Sequence, residues 1–276
     1  MKFSIIIPIH NQEEFIADGL NSILNQFYSN YEIILVNDRS KDNSSKIIKN
    51  YMKEYKQLSL FHTKRTWGAG AAWNIGLNNA IGEYIIFLDS DDILENNYTL
   101  EQLIPFLEKK PDALMCGHRT KWWKKNKVIS KKFIPNYFQR KFFHQIIIQN
   151  GSVCNFIWKK SLFKDNNITF PENTIFEDLN TKLMLLSNAN NIEVCETLLY
   201  VYNIRQGKSI TTTQTIKSLK IFYQKISYNF KLVKEGKIKK NHKNFLYVRA
   251  LYDVPVTTLW ILIRVIEYQI YRFFQK

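Results

Sequence analysis

Apolar and polar positions keep two alternating rhythms over the first 110 residues. Phe3–Ile7 is an apolar, β-branched run, as expected of a strand covered on both faces. From Glu13 to Leu24, the residues Phe15, Ile16, Leu20, Ile23 and Leu24 recur at helical spacing. Tyr31–Val36 repeats the strand pattern, and Asp42–Tyr55 places Ile47, Ile48, Tyr51 and Met52 on one helical face. Leu58–Phe61 reads as a third strand, Gly70–Ala80 as a helix of small residues and Tyr84–Leu88 as a fourth strand. Alternation at this spacing predicts right-handed crossovers and an α/β fold with a mainly parallel sheet. Ligands of such sheets bind beyond the carboxyl ends of the strands, so the residues after each strand carry the interest. From Pro111 the rhythm loosens: Ala113–Cys116 and Ile192–Val201 read as strands and Thr181–Leu186 continues a helix begun near Glu177. Beyond Thr213 the chain reads as helical and lysine-rich.

Composition narrows the class. At 276 residues, 45% hydrophobic and 23% charged, the chain can bury a sizeable core and is neither collagen-like nor disordered. Lys and Arg number 39 against 24 acids, a net charge of +15, which predicts an anionic partner: nucleic acid, an acidic membrane surface or a phosphorylated substrate. Cys116, Cys154 and Cys195 are far apart with no CxxC pair, which suits a reducing cytoplasm better than a disulfide framework or a zinc site. The apolar start is cut by Pro8, too short for a signal-peptide core, and Val254–Ile263 is too short to span a bilayer. The expected location is cytosolic, resting on a membrane.

Four segments follow strand ends: Pro8-Ile9-His10-Asn11, Asn37-Asp38-Arg39-Ser40, Trp67-Gly68-Ala69-Gly70 and Asp89-Ser90-Asp91-Asp92. In the last, three carboxylates within four residues repel one another unless a cation or donors offset the charge. Extended spacing would point Asp89 and Asp91 to one side. Oxygen ligands suit Mg²⁺ or Mn²⁺, which could bridge the phosphates of a nucleotide. The competing reading is a solvated turn in which Asp92 caps the next helix.

Taken together, SIIIPIHNQEEFI, EIILVNDRSKDNS, WGAGAAWNIGLNNAIGEY and IIFLDSDD, in order over Ser4–Asp92, resemble the family-2 glycosyltransferases. FEDLNTKLMLL is similar to that family's Glu-Asp motif and YNIRQGKSIT to a late Arg/Gly/Ser segment. The resemblance implies a GT-A (Rossmann-like) fold and inverting sugar transfer from a nucleotide-sugar donor, usually UDP-linked, with a divalent cation, Mn or Mg. It implies donor binding by Pro8, His10, Asn11, Asp38, Gly68, Asp89 and Asp91, with His10 near the base, Asp38 bonded to it, and Asp91 and Asp89 on the metal. Asp178 matches the base that takes the acceptor proton, with Glu177 beside it on the acceptor. An acidic pair opening a helix is also what the helix dipole favours. Lys159, Arg205, Lys208 and Ser209 are candidates for the diphosphate, although surface charge explains any one of the cations equally well. The chain departs from the family pattern at Asn37 (usually Asp), Arg39 (usually Gly), Thr66 (usually Asn) and Trp73 (usually Arg).

Two basic, aromatic regions remain. Arg119–Lys132, with Trp122 and Trp123 among lysines, lines the acceptor site, touches lipid headgroups or is a solvated hairpin; no nucleic-acid signature accompanies it. Lysines 231, 234, 237, 239, 240 and 243 precede the apolar, aromatic stretch Phe245–Phe274, which reads as an interfacial segment or as helices packed on the domain. The expected organisation is a glycosyltransferase domain over 1–212 (nucleotide half 1–110, acceptor half 111–212) and a basic helical region over 213–276. The expected function is transfer to a glycan or lipid-linked glycan in bacterial capsule or lipopolysaccharide synthesis. The alternative, motivated by the departures, is a catalytically silent nucleotide-sugar or glycan-binding subunit on the same fold.

Overall fold

A computed structural model describes residues 1–124, 127–135, 152–172, 177–205 and 234–236. The first half follows the predicted alternation: β1 (Phe3–Ile9), α1 (Ile16–Leu24), β2 (Tyr31–Asn37), α2 (Ser44–Glu54), β3 (Leu58–His62), α3 (Gly68–Asn79) and β4 (Tyr84–Phe87). β1 runs parallel to both β2 and β4, and β2 runs parallel to β3. Ile5, Ile6, Ile33, Ile34, Ile85 and Ile86 are buried in this core, which is why these strands read as unbroken apolar runs.

The second half departs from the mainly parallel sheet expected. It contains β5 (Ile93–Leu94), α4 (Thr99–Leu107), β6 (Ala113–Lys124), β7 (Lys127–Phe133), β8 (Phe156–Lys159), α5 (Lys160–Asp165), α6 (Glu177–Asn188) and β9 (Ile192–Arg205). The order is β3-β2-β1-β4-β8-β6-β9-β5, with β7 paired to β6. β8 is antiparallel to β4 and β6, β5 is antiparallel to β9, and β6 is parallel to β9. Only two residues join β6 to β7, and so short a connection can join only antiparallel strands. β6 also runs eight residues past Cys116, through the basic, aromatic segment. Its lysines hid that continuation, because the segment is paired by backbone on both sides rather than buried by an apolar face. No helix among the described residues is long and apolar enough to cross a membrane. The tail from residue 213, apart from 234–236, and Lys208 and Ser209 lie outside the described residues.

Candidate active site

The parallel strands end level with one another: Ile9 stands opposite Asn37, and Asn37 opposite His62. The residues that follow therefore gather around one open cleft of ≈ 700 Å³, lined by His10, Asn11, Arg39, Ser40, Lys41 and His62 among others. His10 Nδ1 lies 2.7 Å from the Asp38 carbonyl and Nε2 lies 3.1 Å from Asn11 Nδ2, so the imidazole donates through Nδ1 and accepts at Nε2. Asn11 also accepts from the Lys41 amide at 2.8 Å, locking the β1 and β2 loops together. Pro8 stands inside β1, opposite Val36.

Two departures from the family pattern, Asn37 and Arg39, fall at the end of β2 and in the loop that follows it. Asn37 donates to Ser45 Oγ at 2.6 Å and accepts from the Ser40 amide at 2.9 Å, tying the loop after β2 to the start of α2. Arg39 adopts φ 61°, in the left-handed region that glycine enters without cost. Asp38 is buried, with its oxygens accepting from Thr63 Oγ1 (2.6 Å), Trp67 N (3.2 Å) and Gly68 N (2.9 Å). It fastens the connection from β3 to the start of α3, where Gly68 takes φ 78°.

Asp89–Asp92 is a turn, closed by the Asp92 amide on the Asp89 carbonyl at 3.1 Å, instead of the extended segment expected. Asp92 does not cap a helix: α4 begins at Thr99 and Asp92 is fully buried. One of its oxygens accepts from the Asn203 amide at 2.8 Å, and the other has no hydrogen-bond partner among the described residues. Asn203 further donates to the Asp91 carbonyl and accepts from Trp123 Nε1 at 2.9 Å, so β9 and β6 together hold the turn. Arg205 donates to the Asp91 carbonyl at 3.1 Å and pairs with its carboxylate at 3.4 Å, its guanidinium 3.9 Å above the Phe15 ring.

Glu177 and Asp178 open α6, far from this turn in sequence, yet their charges act on Asp89. Burial, followed by the charges of Asp91, Asp178 and Glu177, pushes the Asp89 carboxyl up to about 7. Burial, with the Asp178 charge adding, raises Glu177 to about 7 as well. Asp92 is driven well above the carboxylate range by burial and by Asp89 and Asp91. What brings α6 here is the segment before it. Asn74 bonds the Phe170 carbonyl (2.9 Å) and amide (2.8 Å), and an added Cβ on Gly70 would lie 2.3 Å from the Pro171 oxygen. Trp73, in the place of the family's arginine, packs 4.8 Å from Phe170 and 5.6 Å from Phe87. The lost cation has become an aromatic core contact that docks the same segment.

The donor set at this cluster is all oxygen, which suits a hard divalent cation. Among the described residues no three His, Cys, Asp or Glu side chains close around one point. That is compatible with the usual habit of such ions, which take one or two carboxylates and complete their shell with substrate phosphates. The carboxylates therefore fit a cation brought in with a nucleotide.

Residues 4–166, which hold the four strand-end motifs, match a known family whose model is described as glycosyl transferase family 2. The chain belongs to glycosyl transferase family 2. An uncharacterized glycosyltransferase of Haemophilus influenzae is 47% identical over 100 residues, 36% of this chain and 40% of that protein. The poly(ribitol-phosphate) beta-N-acetylglucosaminyltransferase TarS of Staphylococcus aureus strain Mu50 is 29% identical over 223 residues, 77% of this chain and 37% of TarS. The chain thus spans about two fifths of the length of these relatives. The crystal structure of S. aureus TarS 1–349 in complex with UDP superposes with a TM-score of 0.63 at 28% identity, covering 74% of this chain and 61% of that one.

Family membership makes the remaining differences informative. Lys159, a candidate for the diphosphate, stands opposite Tyr84 at the amino end of β4 and 3.9 Å from Asp112, at the wrong end of the strands for that task. Arg205 is at the cluster, but on Asp91. Asn203 and Asn74 carry no role in the sequence reading, and Gly70 appears there only as part of a strand-end segment, because such residues announce nothing until their distant partners are known. His118 is a further surprise: it is stacked between Phe133 and Tyr200 and accepts from Asn155 Nδ2 at 2.7 Å, and burial pulls its pKa down to about 4.

Proposed function

We propose that the chain is the catalytic module of an inverting glycosyltransferase that moves a sugar from a UDP-linked donor to a glycan or lipid-linked glycan of the bacterial surface. The observation that carries this is the convergence of carboxylates from distant parts of the chain: the charges of Glu177 and Asp178 act on Asp89, in the turn at the carboxyl end of β4. The UDP-bound neighbour and the poly(ribitol-phosphate) beta-N-acetylglucosaminyltransferase activity named for TarS support the donor and the acceptor class.

Residues 1–110 hold the donor and 111–212 the acceptor. His10, Asn11 and Pro8 shape the nucleotide pocket, and Asp38 with Gly68 sets its far wall and contacts the base. Asp91, with Asp89, would hold Mn or Mg, which when bound supplies positive charge to the diphosphate leaving group. Arg205 and Ser209 serve the diphosphate and Glu177 the acceptor. Asp178 takes the proton from the acceptor hydroxyl as it attacks the anomeric carbon from the face opposite the leaving group. The chain works at the inner face of the cytoplasmic membrane.

Thermal unfolding with UDP, GDP and UDP-sugars, each with Mn²⁺ and with chelator, tests the assignment. Binding to the native state alone raises the midpoint by mass action. The expected result is a metal-dependent rise with UDP that Asp91→Asn abolishes. A cooperative melt that no nucleotide shifts would remove the donor site, and with it the enzyme. A shift without turnover on any acceptor would favour the silent subunit.

A further inference from the structure

The β6–β7 hairpin is the one part of the described sheet whose apolar side chains face water on both sides. Trp123 stands opposite Val128 and Trp122 opposite Ile129, and neighbouring residues of a strand point to opposite faces. Trp123 is 44% exposed, Val128 49% and Ile129 38%. Around this apolar band every residue of β7 from Lys127 to Lys132 is exposed, including Lys127, Lys131 and Lys132. The sequence contains no acidic residue between Asp112 and Asp165, so nothing in the hairpin neutralises them. Arg119 is already spent on Glu95.

Lysines on an edge strand have an ordinary explanation, since they discourage pairing with another sheet. That explanation fails for Val128 and Ile129, because exposed aliphatic residues on an edge invite the association that lysines prevent. A soluble polyanion would satisfy the lysines but offers nothing to Val and Ile. A bilayer with anionic headgroups satisfies both: aliphatic side chains enter the interface, indoles sit at headgroup depth and lysines meet the negative surface. The geometry points to the β6–β7 hairpin as an anionic-membrane docking element. The inference stands on this surface alone, apart from the sugar-transfer reading. It also has a consequence for the site. Trp123 is bonded to Asn203, which holds Asp91 and Asp92, so a docked hairpin fixes the height of the carboxylate turn above the bilayer.

The test is co-sedimentation of the full chain with vesicles of phosphatidylcholine, with and without phosphatidylglycerol, alongside binding to soluble polyphosphate. Expected is partition to the anionic vesicles that falls with added salt, and little to phosphatidylcholine alone. Replacing Lys127, Lys131 and Lys132 together with Gln should weaken vesicle binding by about fivefold per lysine, on the order of a hundredfold in all. The double variant Val128→Ser/Ile129→Ser should weaken vesicle binding by roughly tenfold while leaving polyphosphate binding unchanged. Unaltered melting temperatures would show both variants folded, as expected for exposed positions. No binding of wild type to anionic vesicles would overturn the proposal. So would wild-type partition by both variants, which would put the membrane contact elsewhere in the chain. Loss on lysine replacement with no effect of the Ser pair would also overturn it, in favour of a soluble polyanion.

Discussion

The two halves of the sheet build their share of the site in opposite ways. In the parallel half, β1, β2 and β3 end level, and the loop after each strand reaches the cleft directly, so His10, Asn11 and Arg39 meet through short local connections. In the mixed half, almost nothing local is enough. Glu177 reaches the carboxylate cluster because Asn74 and Gly70 of α3 seize residues 170–171, and Asp91 is steadied by Asn203 and Arg205 of β9. The cleft of the parallel half is therefore a scaffold property, whereas the carboxylate cluster is assembled by a few distant contacts. It should be far easier to break by single substitutions.

Asp178→Asn gives the largest effect. It removes the base proposed above while sparing the parallel half, so turnover should fall by about a hundredfold to ten-thousandfold with the UDP-induced melting shift retained. If nucleotide binding disappeared in parallel, the two halves would not be separable as described. Gly70→Ala attacks the seam itself. The new methyl meets the Pro171 carbonyl oxygen, a backbone atom that cannot rotate away, and it also crowds Glu177 Cγ at 3.2 Å. Overpacking of this kind costs about 1–3 kcal/mol against less than about 1 kcal/mol gained in helix propensity. Urea unfolding should show the net loss, and turnover should drop with it because α6 is displaced.

His118 sharpens the comparison through pH. Its pKa falls from 6.5 to about 4 on folding, so between those values the unfolded chain binds a proton that the folded chain refuses. That contribution to stability is present above pH 6.5 and is lost as pH falls toward 4. Glu177 acts in the opposite sense: its carboxyl rises from 4.5 to about 7, so stability falls as pH rises through that range. The two slopes partly cancel in wild type. Subtracting the urea-unfolding pH profile of His118→Gln, which keeps an acceptor for Asn155, should leave a difference that grows as pH drops below 6.5. A flat difference would mean that His118 is not held neutral by burial.

Much of this contrast was legible in the sequence, and the reason is physical. The parallel half announces itself because buried strands are apolar runs and because a cluster of carboxylates at a strand end, as in Asp89–Asp92, demands compensation. Glu177-Asp178 was visible as a charged pair opening a helix. The rest depends on which distant segments meet. Asn203 bonds the amide-to-carboxylate link to Asp92 across 111 positions, and Asn74 bonds residue 170 across 96. Neither spacing leaves a period or a composition behind. Trp73 illustrates the same limit: in sequence it is a lost arginine, and only the packing of Phe87 and Phe170 around it shows what replaced the charge. The pairing of Arg205 with Asp91 likewise follows from β9 running alongside β6 to Trp123, which the segment around Arg205 does not show by itself.

The smallest expected effect tests the parallel half at Arg39. A non-glycine residue at φ 61° costs roughly 1–2 kcal/mol in backbone strain, so Arg39→Gly relieves strain in the folded chain. The same substitution frees the unfolded chain and costs about 0.5–1 kcal/mol. The net change in stability should stay within about 1 kcal/mol, read by urea unfolding. What changes is the charge: Arg39 lines the cleft beside Lys41, and removing one cation from it should weaken UDP binding several-fold, more at low salt than at high. A cleft that bound UDP with unchanged affinity and salt dependence would show that Arg39 is tolerated there without being used. The family's glycine and this chain's arginine would then be equivalent answers to one backbone requirement.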